Sequence, residues 1–154
     1  MKVIVLLVLF VVIYMMLTDE ENVVELPEVC QSVAGNIGCE QLGSSKVQIV
    51  TIENGFLRIV YKWDVAIGNE AEIAIKNREM VGTFCALREA GIEAEIYRIE
   101  AMINLVDANG NVSEGRGIVA TFDHPRLIAL NCENQLYIDL AEVSDYVLHP
   151  VLMR

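Results

Sequence analysis

The first eighteen residues differ sharply from the rest of the chain in their pattern of apolar and polar positions. From Val3 to Leu17 only Tyr14 carries a polar group, and acidic residues follow from Asp19. A run without an amphipathic period is not one face of a surface helix, and its composition favours insertion into a bilayer. We therefore predict a membrane anchor or signal peptide over residues 1–18 and an acidic linker over residues 19–28.

The residues after the apolar run distinguish a retained anchor from a cleaved signal peptide. Signal peptidase requires small residues at that point. The sequence instead continues with residues 15–21, MMLTDEE, and the first suitable triplet is 32–34, beyond the acidic segment. We favour an uncleaved anchor; a secreted protein and a cytosolic protein with a buried apolar element are the alternatives. Lys2 precedes the run, so the positive-inside rule places the N-terminus in the cytoplasm and the C-terminal domain outside the membrane.

Alternating apolar and polar residues over 46–65 predict a β-hairpin. Two runs rich in β-branched residues flank Asn54-Gly55. Asn-Gly suits a type I′ turn, because both central residues of that turn need positive φ angles. A turn at this point pairs Ile52 with Leu57 and gives each strand one apolar face.

The pattern after this hairpin changes to a helical period and then returns to alternation. Residues 68–90 predict a helix, 93–107 and 117–123 predict a second hairpin, and 139–147 predict a C-terminal helix. Ahead of the first hairpin, helical spacing begins near Pro27, and Gly35 and Gly38 are expected to limit that helix. We predict one α+β domain over residues 29–154: a two-layer fold with a four-stranded, mostly antiparallel sheet of two β-hairpins, a long connecting helix and C-terminal helices.

The net charge of −11 narrows the range of partners. Nucleic acid is not expected, because phosphates require clustered Lys and Arg. The histidines, His124 and His149, have no nucleophile or carboxylate in a motif that supports catalysis. The sequence also contains no phosphate-binding loop and no metal-ligand spacing. We predict neither enzymatic activity nor a cofactor nor a metal site.

The four cysteines are interpreted from spacing and compartment. Cys30 and Cys39 are close enough in sequence for a local disulfide if the domain lies in an oxidising compartment, and two reduced core residues are the alternative. Cys85 falls on the apolar side of the long predicted helix and is interpreted as a packing residue. The sequence leaves open whether Cys132 pairs with it.

Three basic residues share the non-core face of the predicted sheet. Arg58 and Lys62 lie on one strand, and Arg98 lies on the corresponding face of another. In an acidic protein such a cluster predicts a binding face for an acidic partner or for a second copy. Alternatively, C-terminal helices cover the face and pair these cations with carboxylates of Asp139, Glu142 or Asp145.

These observations favour a membrane-anchored extracytoplasmic binding or scaffold domain without catalysis, for example an accessory subunit of an envelope complex. Its expected partners are the membrane, through residues 1–18, and a protein. The alternatives are a small-ligand carrier, secreted or tethered, with a pocket between sheet and helix, and a small hydrolase that uses carboxylates.

Overall fold

The computed structural model describes residues 27–64 and 70–153 and shows an α+β fold with one five-stranded sheet. The predicted anchor over residues 1–18 lies outside this range. Within the described part of the chain, no helix has the length and apolar character needed to cross a bilayer. The elements in order are a 3-10 helix at Glu28–Cys30, α1 at Val33–Leu42, β1 at Val47–Glu53, β2 at Phe56–Lys62, α2 at Glu70–Glu89, β3 at Ile96–Val106, β4 at Val112–Asp123, α3 at His124–Ala129, a 3-10 helix at Cys132–Tyr137, α4 at Leu140–Val143, β5 at Asp145–Leu148 and a 3-10 helix at Pro150–Met153.

The sheet has the order β1-β2-β3-β4-β5 and is mixed. β2 and β3 are parallel, and the other neighbouring pairs are antiparallel. β2 and β3 can run parallel because α2 connects them and supplies the crossover that two parallel strands require. The two predicted strand pairs are therefore present, joined through a parallel contact between their inner strands.

The predicted strand count is wrong, because residues 139–147 form only one turn of helix before a fifth strand. Asp139 caps α4 by accepting a hydrogen bond from the backbone N–H of Ala141 at 2.9 Å. Ser144 then takes an extended conformation, with φ −128° and ψ 170°. The chain pairs with β4 over Asp145–Leu148, so tertiary pairing overrides the helical pattern.

The first hairpin has the predicted register. Ile52 pairs with Leu57, and Asn54 and Gly55 have φ angles of 49° and 75°. These angles are the ones that a two-residue type I′ turn requires. The turn therefore fixes which residues of β1 and β2 face the helices.

The glycines near the start of the domain lie inside α1 and do not limit it. A Cβ atom on Gly35 would stand 2.0 Å from the carbonyl oxygen of Val29, so only glycine allows the preceding 3-10 helix to pack there. A Cβ on Gly38 would lie 3.5 Å from Ile59 of β2. The helix ends at Gly43, whose φ is 93°. The expectation that Gly35 and Gly38 bound the helix is wrong, because close packing outweighs their low helix propensity.

The inner face of the sheet, defined as the face that packs against α1 and α2, carries the core. Phe84 of α2 and Phe122 of β4 are fully buried, with their ring centroids 4.7 Å apart in an edge-to-face arrangement. Side chains from β2, β3 and β4 that point the same way are also buried. They are Leu57, Ile59, Tyr61, Tyr97, Ile99, Ala101, Ile103, Ile118 and Ala120.

Two disulfides fasten the elements around this core. Cys30 is bonded to Cys39, which holds the first 3-10 helix against α1. Cys85 of α2 is bonded to Cys132 at the start of the second 3-10 helix, 47 residues away. Cys85 therefore has a covalent partner in addition to its packing contacts.

Candidate functional site

The outer face of the sheet, defined as the face that points away from α1 and α2, is the candidate site. Side chains on this face are more exposed than those on the inner face. Ile49 of β1, Ile96 of β3 and Val147 of β5 have exposed fractions of 41%, 39% and 62%. In the described ranges α1 and α2 lie against the inner face, so the outer face is accessible to a partner.

The register of the central strands arranges the basic residues around a single carboxylate. Arg58 of β2 is aligned with Arg98 of β3, and four residues further along each strand Lys62 is aligned with Met102. Between these rows lies Glu100 of β3. The strand register thus brings the three predicted binding residues together and places an acidic residue among them.

Glu100 is completely buried although it belongs to the outer face. Both of its carboxylate oxygens accept hydrogen bonds from Arg58: Oε1 from Nε at 2.8 Å and Oε2 from Nη2 at 3.0 Å. Arg116 of β4 donates a further hydrogen bond from Nε to Oε2 at 3.0 Å. Such a bidentate, charge-assisted arrangement fixes the guanidinium plane as well as its position.

The two arginines also determine the ionisation of Glu100. Burial alone would raise the pKa of Glu100, because a charged carboxylate loses its hydration. The hydrogen bond and charge of Arg58, together with those of Arg116, outweigh this effect and hold the pKa of Glu100 below its usual value. The site therefore contains a carboxylate anion between two cations at neutral pH.

Arg116 reaches Glu100 because β4 contains one extra residue, Gly117, in its pairing with β3. Up to Ala101 the outer and inner positions of β3 and β4 alternate regularly, and the register shifts between Ala101 and Met102. The shift aligns Met102 with Arg116. A β-bulge re-aims the side chains that follow it, and here it adds a fourth cation to the outer face. We call Arg58, Lys62, Arg98 and Arg116 the cationic cluster.

Arg98 has its own partners within the sheet. Its guanidinium carbon lies 5.2 Å from the centroid of the Phe56 ring, a cation–π distance. Its Nε donates a hydrogen bond to Oγ1 of Thr121 at 3.1 Å. These contacts orient Arg98 beside Arg58 without neutralising its charge.

Lys62 is the most loosely held member of the cationic cluster. Its Nζ lies 4.0 Å from a carboxylate oxygen of Asp64, and its side chain is 39% exposed. This distance is at the limit of an ion pair, so the ammonium group stays available to solvent or a partner.

The described residues do not show the predicted alternative, in which C-terminal carboxylates neutralise these cations. Asp145 is bound by both terminal nitrogens of Arg126 at 3.0 Å, and Asp139 caps α4. Glu142 lines a surface pocket of about 480 Å³ beside Arg126. Asp145 lies in the same row of the sheet as Arg98, but its carboxylate is bound by Arg126, which is outside the cationic cluster.

Glu100 and Arg116 were not recognised as site residues in the sequence. Glu100 reads as an ordinary polar position of an alternating strand, and Arg116 lies in the polar segment after the predicted turn. The usable signal was a Glu on the same strand face as Arg98, two residues away, since neighbours on one face of a sheet interact.

The histidines show no arrangement of a catalytic pair in the described structure. Nδ1 of His124 lies 3.0 Å from the hydroxyl oxygen of Tyr97. The adjacent Asp123 instead caps α3 and pairs with Arg126 at 2.9 Å. His124 also lines a shallow pocket of about 490 Å³ with Glu93. Among the described residues no group of His, Cys, Asp and Glu side chains could hold a metal ion.

Comparison with known proteins adds no relative. No protein-family model, curated protein or solved structure matches this chain. The function is therefore inferred from the outer face itself.

Proposed function

We propose that this protein is a non-catalytic binding domain, tethered to a membrane by residues 1–18, which docks an acidic protein partner through its outer sheet face. The observation that carries the proposal is the cationic cluster around the buried Glu100 in a protein whose net charge is −11. An accessory subunit of an envelope complex would have this organisation.

Electrostatics supports an acidic partner. The cationic cluster contains four positive side chains around the buried carboxylate of Glu100. The row of Arg98 also ends at Asp145 of β5, but Arg126 binds that carboxylate. Most of the remaining molecule is acidic, so an acidic partner is repelled elsewhere and attracted here. Complementarity of this kind raises the rate of association and selects the orientation of docking.

The arginines retain donors for such a partner. Arg58 uses Nε and Nη2 for Glu100, whereas Arg98 and Arg116 use only Nε for the hydrogen bonds described above. The side chain of Arg116 is 60% exposed. Terminal Nη groups held in place by their own Nε contacts lose little conformational entropy when they bind a carboxylate.

Apolar side chains beside the cluster add contact area. Phe56 and Met102 are half-buried, and Ile96 is exposed next to them. A partly apolar surround lowers the local dielectric response and strengthens ion pairs formed across it. The outer face therefore combines the aromatic, arginine and apolar groups that protein interfaces favour.

A defined probe tests this proposal. The full chain in detergent is titrated with a fluorescent polyglutamate peptide at several salt concentrations. The variant Lys62→Glu with Arg98→Gln should weaken binding at least tenfold, which is about 1.4 kcal/mol. Arg58 is left intact, because its loss would uncover the buried carboxylate of Glu100.

A charge-matched control makes the result specific. Arg78→Glu with Lys76→Gln, both on α2, changes the net charge by the same amount on the other side of the sheet. This control should bind the peptide nearly as tightly as the wild type. Both variants should stay folded, and the outer-face variant should lose no more than about 1 kcal/mol of stability, through the contact of Arg98 with Phe56. Equal losses in the two variants, or no loss in either, would show that the outer face is not the docking surface.

A further inference from the structure

The two edges of the sheet are built differently. β1 forms one edge and β5 the other. β5 is four residues long, begins with Asp145 and is followed closely by Pro150. β1 is seven residues long, and from Val47 to Ile52 it contains neither a charge nor a proline. Charges, prolines and short strands are the features that keep sheet edges from pairing with other chains, and β1 has few of them.

The hairpin register identifies the backbone groups on the free side of β1. With a two-residue turn, Glu53 and Phe56 are a hydrogen-bonded pair, and such pairs alternate along the ladder. Thr51 therefore bonds toward β2, whereas the N–H and C=O groups of Val50 and Ile52 point outward. Within the described ranges no hydrogen bond from outside the hairpin reaches residues 48–53.

The outward edge is usable over a short length only. A register irregularity between Val47 and Ile49 interrupts the ladder. The regular part is thus Ile49–Glu53, with Thr51 at its centre. The side chains of Ile49 and Ile52 are exposed on its two sides.

We propose that β1 pairs antiparallel with β1 of a second copy of this chain, about a two-fold axis at Thr51. Val50 of each copy exchanges both backbone hydrogen bonds with Ile52 of the other, which satisfies the outward groups. Thr51 lies opposite its own counterpart. The two sheets then form one continuous sheet with two outer faces on the same side.

Charge favours a second copy at this edge. Two molecules with a net charge of −11 repel each other over most of their surfaces. The segment from Val47 to Ile52 is uncharged, and antiparallel pairing brings the Lys46 end of one strand toward the Glu53 end of the other. The edge is thus a place where two copies can approach without like-charge contact.

Cysteine cross-linking tests the register in the full chain in membranes. In the proposed pair, Thr51 and its counterpart form a non-hydrogen-bonded pair with Cα atoms about 4.5 Å apart, within the range of a disulfide. Thr51→Cys should give a covalent dimer under mild oxidation. The exposed Ser113→Cys, on β4, should stay monomeric. No dimer with Thr51→Cys, or equal amounts with both variants, would overturn the proposal.

Proline substitutions separate loss of pairing from loss of folding. Ile52→Pro removes an outward N–H and should abolish the dimer, measured by sedimentation equilibrium in detergent, with circular dichroism unchanged. Thr51→Pro removes an N–H that bonds to β2 and should destabilise the fold. A dimer that persists in a folded Ile52→Pro chain would contradict pairing through β1.

The proposed pairing through β1 and the proposed binding through the outer face can be refuted independently of each other. Ile52→Pro should still bind the polyglutamate peptide, and Lys62→Glu with Arg98→Gln should still form the dimer. A dimer without peptide binding would refute the proposed function alone. Peptide binding by a chain that stays monomeric at all concentrations would refute the self-pairing alone.

Discussion

The two faces of the sheet use the same strands for opposite purposes. The inner face is apolar, buried on the three central strands, and covered by α2, which is covalently bonded to the second 3-10 helix through Cys85. The outer face buries one carboxylate, Glu100, beneath charged side chains and leaves apolar groups exposed around it. A face that served only solubility would not need a fully buried ion. The difference teaches that the outer face is ordered by its own network and does not depend on a covering helix.

The largest expected effect on stability comes from removing the disulfides that fasten the inner side of the sheet. Replacing both Cys85 and Cys132 with Ala should lower the free energy of unfolding by about 4 kcal/mol on the chain-entropy model, because this bond closes a long loop. Replacing Cys30 and Cys39 should cost about 2.5–3 kcal/mol. Urea unfolding monitored by tryptophan fluorescence measures both. A larger loss for the short loop would contradict this order.

The second largest expected effect comes from disrupting the hydrogen-bond network around Glu100 on the outer face. Glu100→Gln keeps the shape of the side chain but removes the charge that Arg58 and Arg116 bind, and should cost about 1.5–3 kcal/mol. Glu114→Gln, on the same face but exposed, is the control and should stay near wild-type stability. Equal stability of Glu100→Gln and wild type would show that the network contributes nothing.

Lowering the pH should gradually remove the contribution of ionised Glu100 to the free energy of unfolding. The pKa of Glu100 is lowered in the folded protein, against about 4.3 in an unfolded chain. Its stabilisation is therefore complete above the unfolded pKa and is lost as the pH falls through the folded pKa. The difference in unfolding free energy between wild type and Glu100→Gln should shrink below about pH 4. A difference that is constant down to pH 2 would contradict the lowered pKa.

The smallest effect concerns a contact at the rim of the network. Arg98→Gln removes the cation–π contact with Phe56 and should cost about 0.5–1 kcal/mol. Arg98→Lys keeps the charge and should recover part of that loss. The melting temperatures of the two variants, compared at low and high salt, measure the contribution. A loss of several kcal/mol would place Arg98 in the network of Glu100.

The sequence predicted those parts of the fold that depend on neighbouring residues. Asn54-Gly55 determined the register of the first hairpin, because few residues other than Asn and Gly adopt the positive φ angles that a type I′ turn requires at both central positions. β5 was missed, since four residues after a helical pattern carry little signal and their pairing depends on β4. The bond between Cys85 and Cys132 depends on the position of α2 over the sheet, which spacing alone does not define.

The candidate site was predicted only in part for the same reason. Alternation placed Arg58, Lys62 and Arg98 on one face, as the structure does. Glu100 joins them through the parallel contact between β2 and β3, and Arg116 joins them through the extra residue in β4. Both features are tertiary, so the buried carboxylate at the centre could not be inferred from strand patterns.

The bond between Cys85 and Cys132 also determines how the domain responds to mechanical tension. Load applied along the chain crosses from α2 to the second 3-10 helix through this bond, so β3 and β4 are not stretched. The bypassed segment spans 47 residues and would extend by about 170 Å if it were free. Under tension the protein can therefore lengthen only outside this loop, and the strands that carry Glu100, Arg98 and Arg116 remain together until the bond is reduced.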